Sequence, residues 1–272
     1  MEKAHGRYNK IMVEIVEKYL FLGAQLLKGP FTIKEGDYDR MMALFFFRRQ
    51  LEHLKSLLAL HKYECGQDMF FISRSMIEGC VYLVWSDIDS DVSKKWATYL
   101  TVIGHTALKN ASERGELLDP QYVKEVEERV KLYGKIFVKR NKRENLKIYF
   151  KSDPFGFYWH VDDDGRELKF REICEKADLM NLVHPYEYMS NWSHWGMKGF
   201  NPMIARDDNP DIEFDYNDPL HTRYALTSAL LAFFRSALIF ERRFELGRRE
   251  EILSVNREYQ RKTEGEVEQP NV

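Results

Sequence analysis

Apolar residues recur at three- and four-residue spacing along most of the chain, the pattern of helices with one face turned to a core. Residues 8–28 carry Ile11, Ile15, Leu20 and Leu27 among charges and stop at Gly29-Pro30. Residues 37–62 follow Gly36 and hold Leu44, Phe47, Leu51, Leu54 and Leu58 as an amphipathic stripe. The next helix, 67–86, contains MFFISRSMIEGCVYLVW. It is apolar nearly all round, so a central, buried position is expected. Asp89-Ser90 suits the start of a helix over 91–114. Asp119-Pro120 suits one over 120–139, with an acidic N-cap and proline at the first helical position.

The pattern then lapses. Residues 139–151 read KRNKRENLKIYFK, and 153–166 read DPFGFYWHVDDDGR, with a proline, two glycines and an aspartate run. This predicts a loop or short hairpin. Helical spacing returns at 168–179 and 185–197, lapses again over 198–219, and resumes in a long helix at 219–247. From 254 onward the chain is polar and is expected to be a mobile tail, 254–272. No internal repeat or low-complexity tract interrupts this order. The expected fold is all-α, an antiparallel helical bundle in a single domain over 1–250, with one irregular or small hairpin insertion near 139–166.

Composition adds limits. With 44% apolar residues in 272, the chain has ample material for a core. Lys plus Arg number 41 and Asp plus Glu 43, so no overall basic excess points to nucleic acid and no acidic excess points to disorder. Cys65, Cys80 and Cys174 are widely spaced, without a CxxC pair, and read as reduced thiols; Cys80 belongs to the apolar run and reads as core. No apolar stretch precedes Met12, which argues against a secretory signal. The late run ALTSALLAFFRSALIF is broken by Arg235 and is short of a clean membrane span. The expectation is a soluble, cytoplasmic protein with no membrane partner.

Two charges sit inside the most apolar helix. Arg74 and Glu78 are flanked by Phe70, Phe71, Ile72, Met76, Ile77 and Val81. Burying either one unpaired costs on the order of several kcal/mol, so each needs a partner. They lie one turn apart, but arginine before glutamate is the weaker order for a helix pair, which points to partners elsewhere. Either this face lines a working cavity, or the pair fixes how the helices register.

A second concentration of polar groups is YEYMSNWSHW, Tyr186 to Trp195. His184-Pro185 suits a helix start. Tyr186, Ser190 and His194 then share one face at four-residue spacing, with Ser193 beside them; His184, Tyr188, Asn191 and Trp195 share another; Met189 and Trp192 can pack inward. His194 has the only unperturbed pKa near neutrality on its face and is the natural acid–base candidate. The plainer alternative is a helix surface bonded to backbone and water.

FISRSMIEGCVYLVW followed far downstream by YEYMSNWSHWG resembles a bacterial all-helical domain family of unknown function. Its members show an Arg-Ser-x-x-Glu helix and a later Tyr-x-x-Leu-Ser…His helix. Arg74, Ser75 and Glu78 carry the first motif; Tyr186, Met189 in the leucine position, Ser190 and His194 carry the second. The resemblance covers about 40–245. It implies a helical fold in which the two motifs meet, and it implies no activity. The candidate site is therefore Arg74, Glu78, Tyr186, Ser190 and His194.

The one Glu-x-x-His pair, Glu2 and His5, lies at the terminus, which argues against a di-metal bundle, and HExxH, P-loop, GxGxxG and GxSxG patterns are absent. No cofactor or metal is expected. Arg48 to His53 resembles the Arg-x(4–6)-His pair of HEPN-type ribonucleases, helical proteins in which arginine holds phosphate and histidine helps cleave it. Beside a leucine stripe, a salt-bridged surface face is the plainer account of those two residues. A site joining Arg74 to His194 across two helices would also place a fixed cation beside an imidazole. The basic run Lys139 to Lys151, with Tyr149 and Phe150, suits a nucleic-acid backbone, or a solvated loop balanced by Asp162, Asp163 and Asp164. Phe155, Phe157, Tyr158 and Trp159 suit a homodimer contact or a cap on the core.

Two functions stay open on these grounds. One is a nuclease-like effector, with RNA as partner, in bacterial stress or defence. The other is a non-catalytic binding module, with a protein as partner, in which the polar cluster is structural.

Overall fold

The computed structural model describes residues 2–138, 158–193, 204–205, 213–214 and 219–267. The fold is all-α. Helices α1 (Glu2–Leu26), α2 (Tyr38–Lys62), α3 (Asp68–Ile88), α4 (Ser90–Glu113), α5 (Pro120–Tyr133), α6 (Phe170–Lys176), α7 (Val183–Ser193), α8 (Pro219–Phe244) and α9 (Arg249–Val267) follow in order. Two-residue strands Ile204–Ala205 and Glu213–Phe214 pair antiparallel.

The start signals work as the sequence implies. Asp37 accepts from the Arg40 amide, Asp89 from Asp91 and Asp119 from Gln121, each occupying an amide left without an intrahelical partner. Proline stands at the start of α5. The fifth helix ends earlier than expected, at Tyr133, and tightens into a 3-10 turn over Gly134–Phe137.

The chain divides into two compact units, Met1–Asp87 with Cys174–Val272, and Ile88–Ile173. In the first, α8 packs against α1 and α2, and α9 packs against α1 and α8. Phe47 of α2 stacks on Phe240 of α8 at 4.4 Å between ring centroids, and Tyr19 of α1 meets Phe233 at 5.3 Å. Arg243, near the end of α8, reaches Asp39 at 3.1 Å and Asp87 at 3.2 Å, tying the start of α2 to the end of α3. Residues His221–Phe244 are long and apolar enough to cross a membrane by length and composition, but 61% of an apolar 18-residue window within them is buried inside the protein, as in the core helix of a globular unit.

Of the mobile polar tail expected over 254–272, residues 254–267 are instead the larger part of α9, and 268–272 lie outside the described residues. Gly247, at φ +69°, breaks the chain after α8, and helix resumes at once. Ile252 is fully buried. Lys262 bridges Glu14 at 2.9 Å and Glu258 at 3.1 Å, and Lys18 holds Glu258 from α1. The charges that suggest a solvated tail are the outer face of an amphipathic helix.

The second unit is built on α4 and α5. Val102, Leu108, Val126, Val130, Phe137, Val138 and Val161 form its core, with Trp159 packed against it. Of the expected insertion, residues 139–157 lie outside the described residues, and the basic run and Phe155 and Phe157 go with them. The remainder is a loop closed by an antiparallel bridge between Val161 and Glu167. Inside it the Asp162 carboxylate accepts from the Asp164 and Arg166 amides and from Arg166 Nε. Tyr158 is exposed, whereas Trp159 serves the core.

Candidate functional site

Helix α3 is less enclosed than its composition suggests. Met69, Phe70, Met76, Ile77, Cys80 and Val81 are buried, but Phe71 is exposed and Arg74 and Glu78 are half-buried. Burial holds the Cys80 thiol protonated, with its pKa pushed up to about 12, which makes it inert packing.

The partner of both charges is Tyr186 of α7. Its hydroxyl accepts from Arg74 Nη2 at 2.9 Å and donates to Glu78 Oε1 at 2.9 Å. The guanidinium also lies 4.9 Å from the Tyr186 ring centroid, a cation–π contact. Burial, with the neighbouring Glu78 charge, raises the phenol pKa, so the hydroxyl keeps the proton it gives to Glu78. Two motifs 108 residues apart thus meet at one oxygen atom. Ser190, one turn on, is half-buried on the same side of α7, Met189 is fully buried as expected, and His194 lies outside the described residues.

The other face of α7 is aromatic. Tyr188 packs against Phe70 of α3 at 5.7 Å and Tyr224 of α8 at 4.9 Å, and the Tyr224 hydroxyl is 3.3 Å from His184 Nδ1.

Beside the Arg74–Tyr186–Glu78 chain, a small cleft opens between α2 and α3. Phe45, Arg49, Gln50 and His53 line one side and Ser75, Glu78, Gly79 and Tyr82 the other, around about 150 Å³. Glu78 belongs to both the cleft and the tyrosine bridge. His53, 9% exposed, has Nε2 at 3.2 Å from Ser75 Oγ. Gln50 Nε2 donates to the Met76 carbonyl at 2.7 Å, and Gly79 lets that amide and Phe46 approach the α3 backbone. Burial, assisted by the Arg49 charge, lowers the His53 pKa, so the ring is neutral at pH 7.

This corrects the expectation that Arg48 and His53 form a solvated, salt-bridged face. Arg48 is exposed, but His53 is buried and aimed at α3. The guanidinium on the cleft is Arg49, one turn before His53, and among the described residues no carboxylate lies in ion-pair range of it. The signal for His53 was present in its spacing from Gln50, Leu54 and Leu57, all buried on α2. A polar residue in that run points to a second buried face.

Among the described residues no group of three His, Cys, Asp or Glu side chains could hold a metal ion. Comparison with curated proteins and with solved structures finds no match. A family model does match, over residues 40–211, a span that holds α2, α3 and α7 and so every residue of the bridge and the cleft. The chain belongs to that family, a family of unknown function, DUF5677.

Proposed function

We propose that the α2–α3 cleft is a phosphodiester-cleaving site and that the protein is a nuclease-like effector acting on RNA in the cytoplasm. The observation that carries this reading is the convergence of a neutral, buried imidazole, His53, and a guanidinium with no ion pair among the described residues, Arg49, on one cleft. A ribonuclease without a bound nucleophile needs a base that is unprotonated at pH 7 and a cation for the phosphate. At about 150 Å³ the cleft falls below the usual range for whole small molecules, roughly 300–1,000 Å³, and suits a phosphate group entering from a backbone outside. Phe45, 55% exposed on the same rim, offers a face on which an unpaired base can stack.

In the step envisaged, the His53 imidazole takes the proton of a ribose 2′-hydroxyl. The 2′ oxygen bonds to the adjacent phosphorus, and the bond from phosphorus to the 5′ oxygen breaks. The products are a 2′,3′-cyclic phosphate and a 5′-hydroxyl whose proton returns from the imidazolium through water. Arg49 faces the charge that builds on the phosphoryl oxygens. Arg74, Glu78 and Tyr186 act here as positioning residues, holding α3 and the Glu78 side of the cleft. Ser190 on α7 remains a candidate, and so does His194, which follows it in the sequence, as an alternative base.

A second reading has its own support. The Tyr186 hydroxyl uses both its accepting and its donating capacity inside the protein, as a structural lock does. On that reading the protein is a binding module without catalysis.

Cleavage of an end-labelled single-stranded RNA, its DNA counterpart and a 2′-O-methyl RNA separates these readings. The expected result is cleavage of the unmodified RNA alone, leaving cyclic-phosphate ends, and a loss of about 10²-fold or more in His53→Ala. Loss in His194→Ala but not in His53→Ala makes His194 the base. No cleavage by well-folded wild type rejects the nuclease.

A further inference from the structure

On the far side of α7 from Tyr186 lies a larger cavity, about 580 Å³, framed by α1, α7, α8 and the turn before α7. Its walls are mostly apolar and aromatic: Leu182, Pro185, Tyr188, Tyr224 and Leu231, with Tyr8 from α1. One cation enters it. The Arg223 guanidinium lies over the Tyr8 ring, 3.9 Å from the centroid. Among the described residues no carboxylate is within ion-pair range of it and no acceptor meets its N–H groups.

That combination has a direct chemical meaning. Stacking on Tyr8 uses the face of the guanidinium and leaves its in-plane N–H donors free to receive an anion. A half-buried arginine with aromatic support and, among the described residues, no counter-charge is the complement of an external carboxylate or phosphate. Around it, the tyrosine rings supply surface suited to a flat, apolar body. The volume lies within the usual range for small-molecule sites, roughly 300–1,000 Å³. Thr227 and His184 line it without adding negative charge, the Thr227 hydroxyl donating to the Arg223 carbonyl and His184 Nδ1 meeting the Tyr224 hydroxyl.

We infer that this cavity binds a flat aromatic acid, an aromatic ring carrying a carboxylate or a phosphate, with the acid on Arg223 and the ring among Pro185, Tyr188 and Tyr224. This site is separate from the α2–α3 cleft, and its existence does not depend on the nuclease reading. The two sources of such a ligand, an aromatic carboxylate and a nucleoside monophosphate, share the chemistry and differ in the acid.

Calorimetric titration of the full-length protein tests it. The probes are indole-3-acetate, adenosine 5′-monophosphate, neutral adenosine and inorganic phosphate. The expected result is binding of one of the two aromatic acids with a Kd of ~100 μM or tighter. Adenosine and inorganic phosphate alone should each bind at least about tenfold more weakly than that acid, since each offers half of the recognition. Arg223→Met should weaken the aromatic acid by about tenfold or more and leave adenosine unchanged, while Arg223→Lys should recover part of the loss. Tyr188→Leu should weaken every ringed probe and leave inorganic phosphate unchanged. A thermal melt matching wild type qualifies each variant. The inference is overturned if neither aromatic acid binds below ~1 mM, or if the folded Arg223→Met variant binds like wild type.

Discussion

His53 Nε2 and Ser75 Oγ meet at 3.2 Å across α2 and α3, 22 positions apart in the chain. Folding removes the imidazole from water while the unfolded chain leaves it solvated, so its pKa is lower folded than unfolded. The sign follows from proton counts. Below an unfolded pKa of about 6.5 the unfolded chain binds a proton that the folded chain refuses, so acidification favours unfolding until the folded pKa is also passed. Urea denaturation from pH 8 to pH 5 should therefore show stability falling as pH drops below about 7. His61, whose pKa burial also lowers, contributes in the same direction. His53→Gln should reduce the slope without abolishing it, and an unchanged slope would mean that the ring is solvated in the folded protein.

Tyr186→Phe keeps the ring beside Arg74 and deletes the oxygen that serves both Arg74 and Glu78. Hydrogen bonds to charged groups contribute about 1.5–3 kcal/mol where buried, and half-burial reduces that, so a loss of about 1–2 kcal/mol is expected. Tyr186→Ala should cost more, because it also removes the cation–π contact and opens a cavity. Adding Glu78→Gln to Tyr186→Phe should cost less than the sum of the two single changes, since both break one bridge. Full additivity in a double-mutant cycle would show that the bridge does not hold in solution.

Legibility varied with how far each signal depended on neighbours. Starts and periods of helices are local, so Asp119-Pro120 and the stripe through Phe47, Leu51 and Leu54 announce themselves. The same stripe hid His53. Leu44 and Leu58 suggest one buried face, yet the buried set of α2 includes Phe46, Gln50 and His53, because α2 is covered by α8 on one side and by α3 on another. Which polar residues fall under the second cover depends on a partner that no local window contains. The pairing of Arg74 and Glu78 through Tyr186 was legible only as a need: the cost of burial demanded partners, the helix order sent the search elsewhere, and the motif resemblance suggested where. Helix α9 was illegible for the opposite reason. Its charges answer Glu14 and Lys18 on α1, so composition alone reads as solvation.

Gly79 sits in the middle of α3 where helix propensity favours alanine by about 0.8–1 kcal/mol. Packing opposes the change. A Cβ there would come within 3.1 Å of Gln50 Nε2 and 3.3 Å of Phe46 Cδ1, tighter than ordinary contact. The amide is held by its 2.7 Å bond to the Met76 carbonyl, and overpacking of this kind costs about 1–3 kcal/mol. The balance predicts that Gly79→Ala is neutral to destabilising by up to about 2 kcal/mol despite the better helix former. It should also narrow the α2–α3 cleft and lower any activity that uses it. A gain near 1 kcal/mol in chemical denaturation would mean that α2 yields freely and the cleft wall is soft.

In the second unit, Arg166 grips both carboxylate oxygens of Glu172, at 2.9 and 3.1 Å, while the Lys169 amide donates to the same group at 2.7 Å. The Arg166 hydrogen bonds, followed by the amide, hold the Glu172 pKa down to about 2. A carboxylate with a depressed folded pKa stabilises above its unfolded value, about 4.5, and the effect is lost as pH falls from there through about 2. Wild type should therefore exceed Glu172→Gln in urea midpoint at pH 6, and the two should converge toward pH 2. The group is solvent-exposed, so 0.5 M salt should shrink the pH 6 difference, as screening requires. Lys169 donates from its backbone, so Lys169→Ala leaves that bond in place and should move the midpoint less than Arg166→Ala does. Equal losses would make general surface charge, rather than the bidentate grip on Glu172, the origin of the effect.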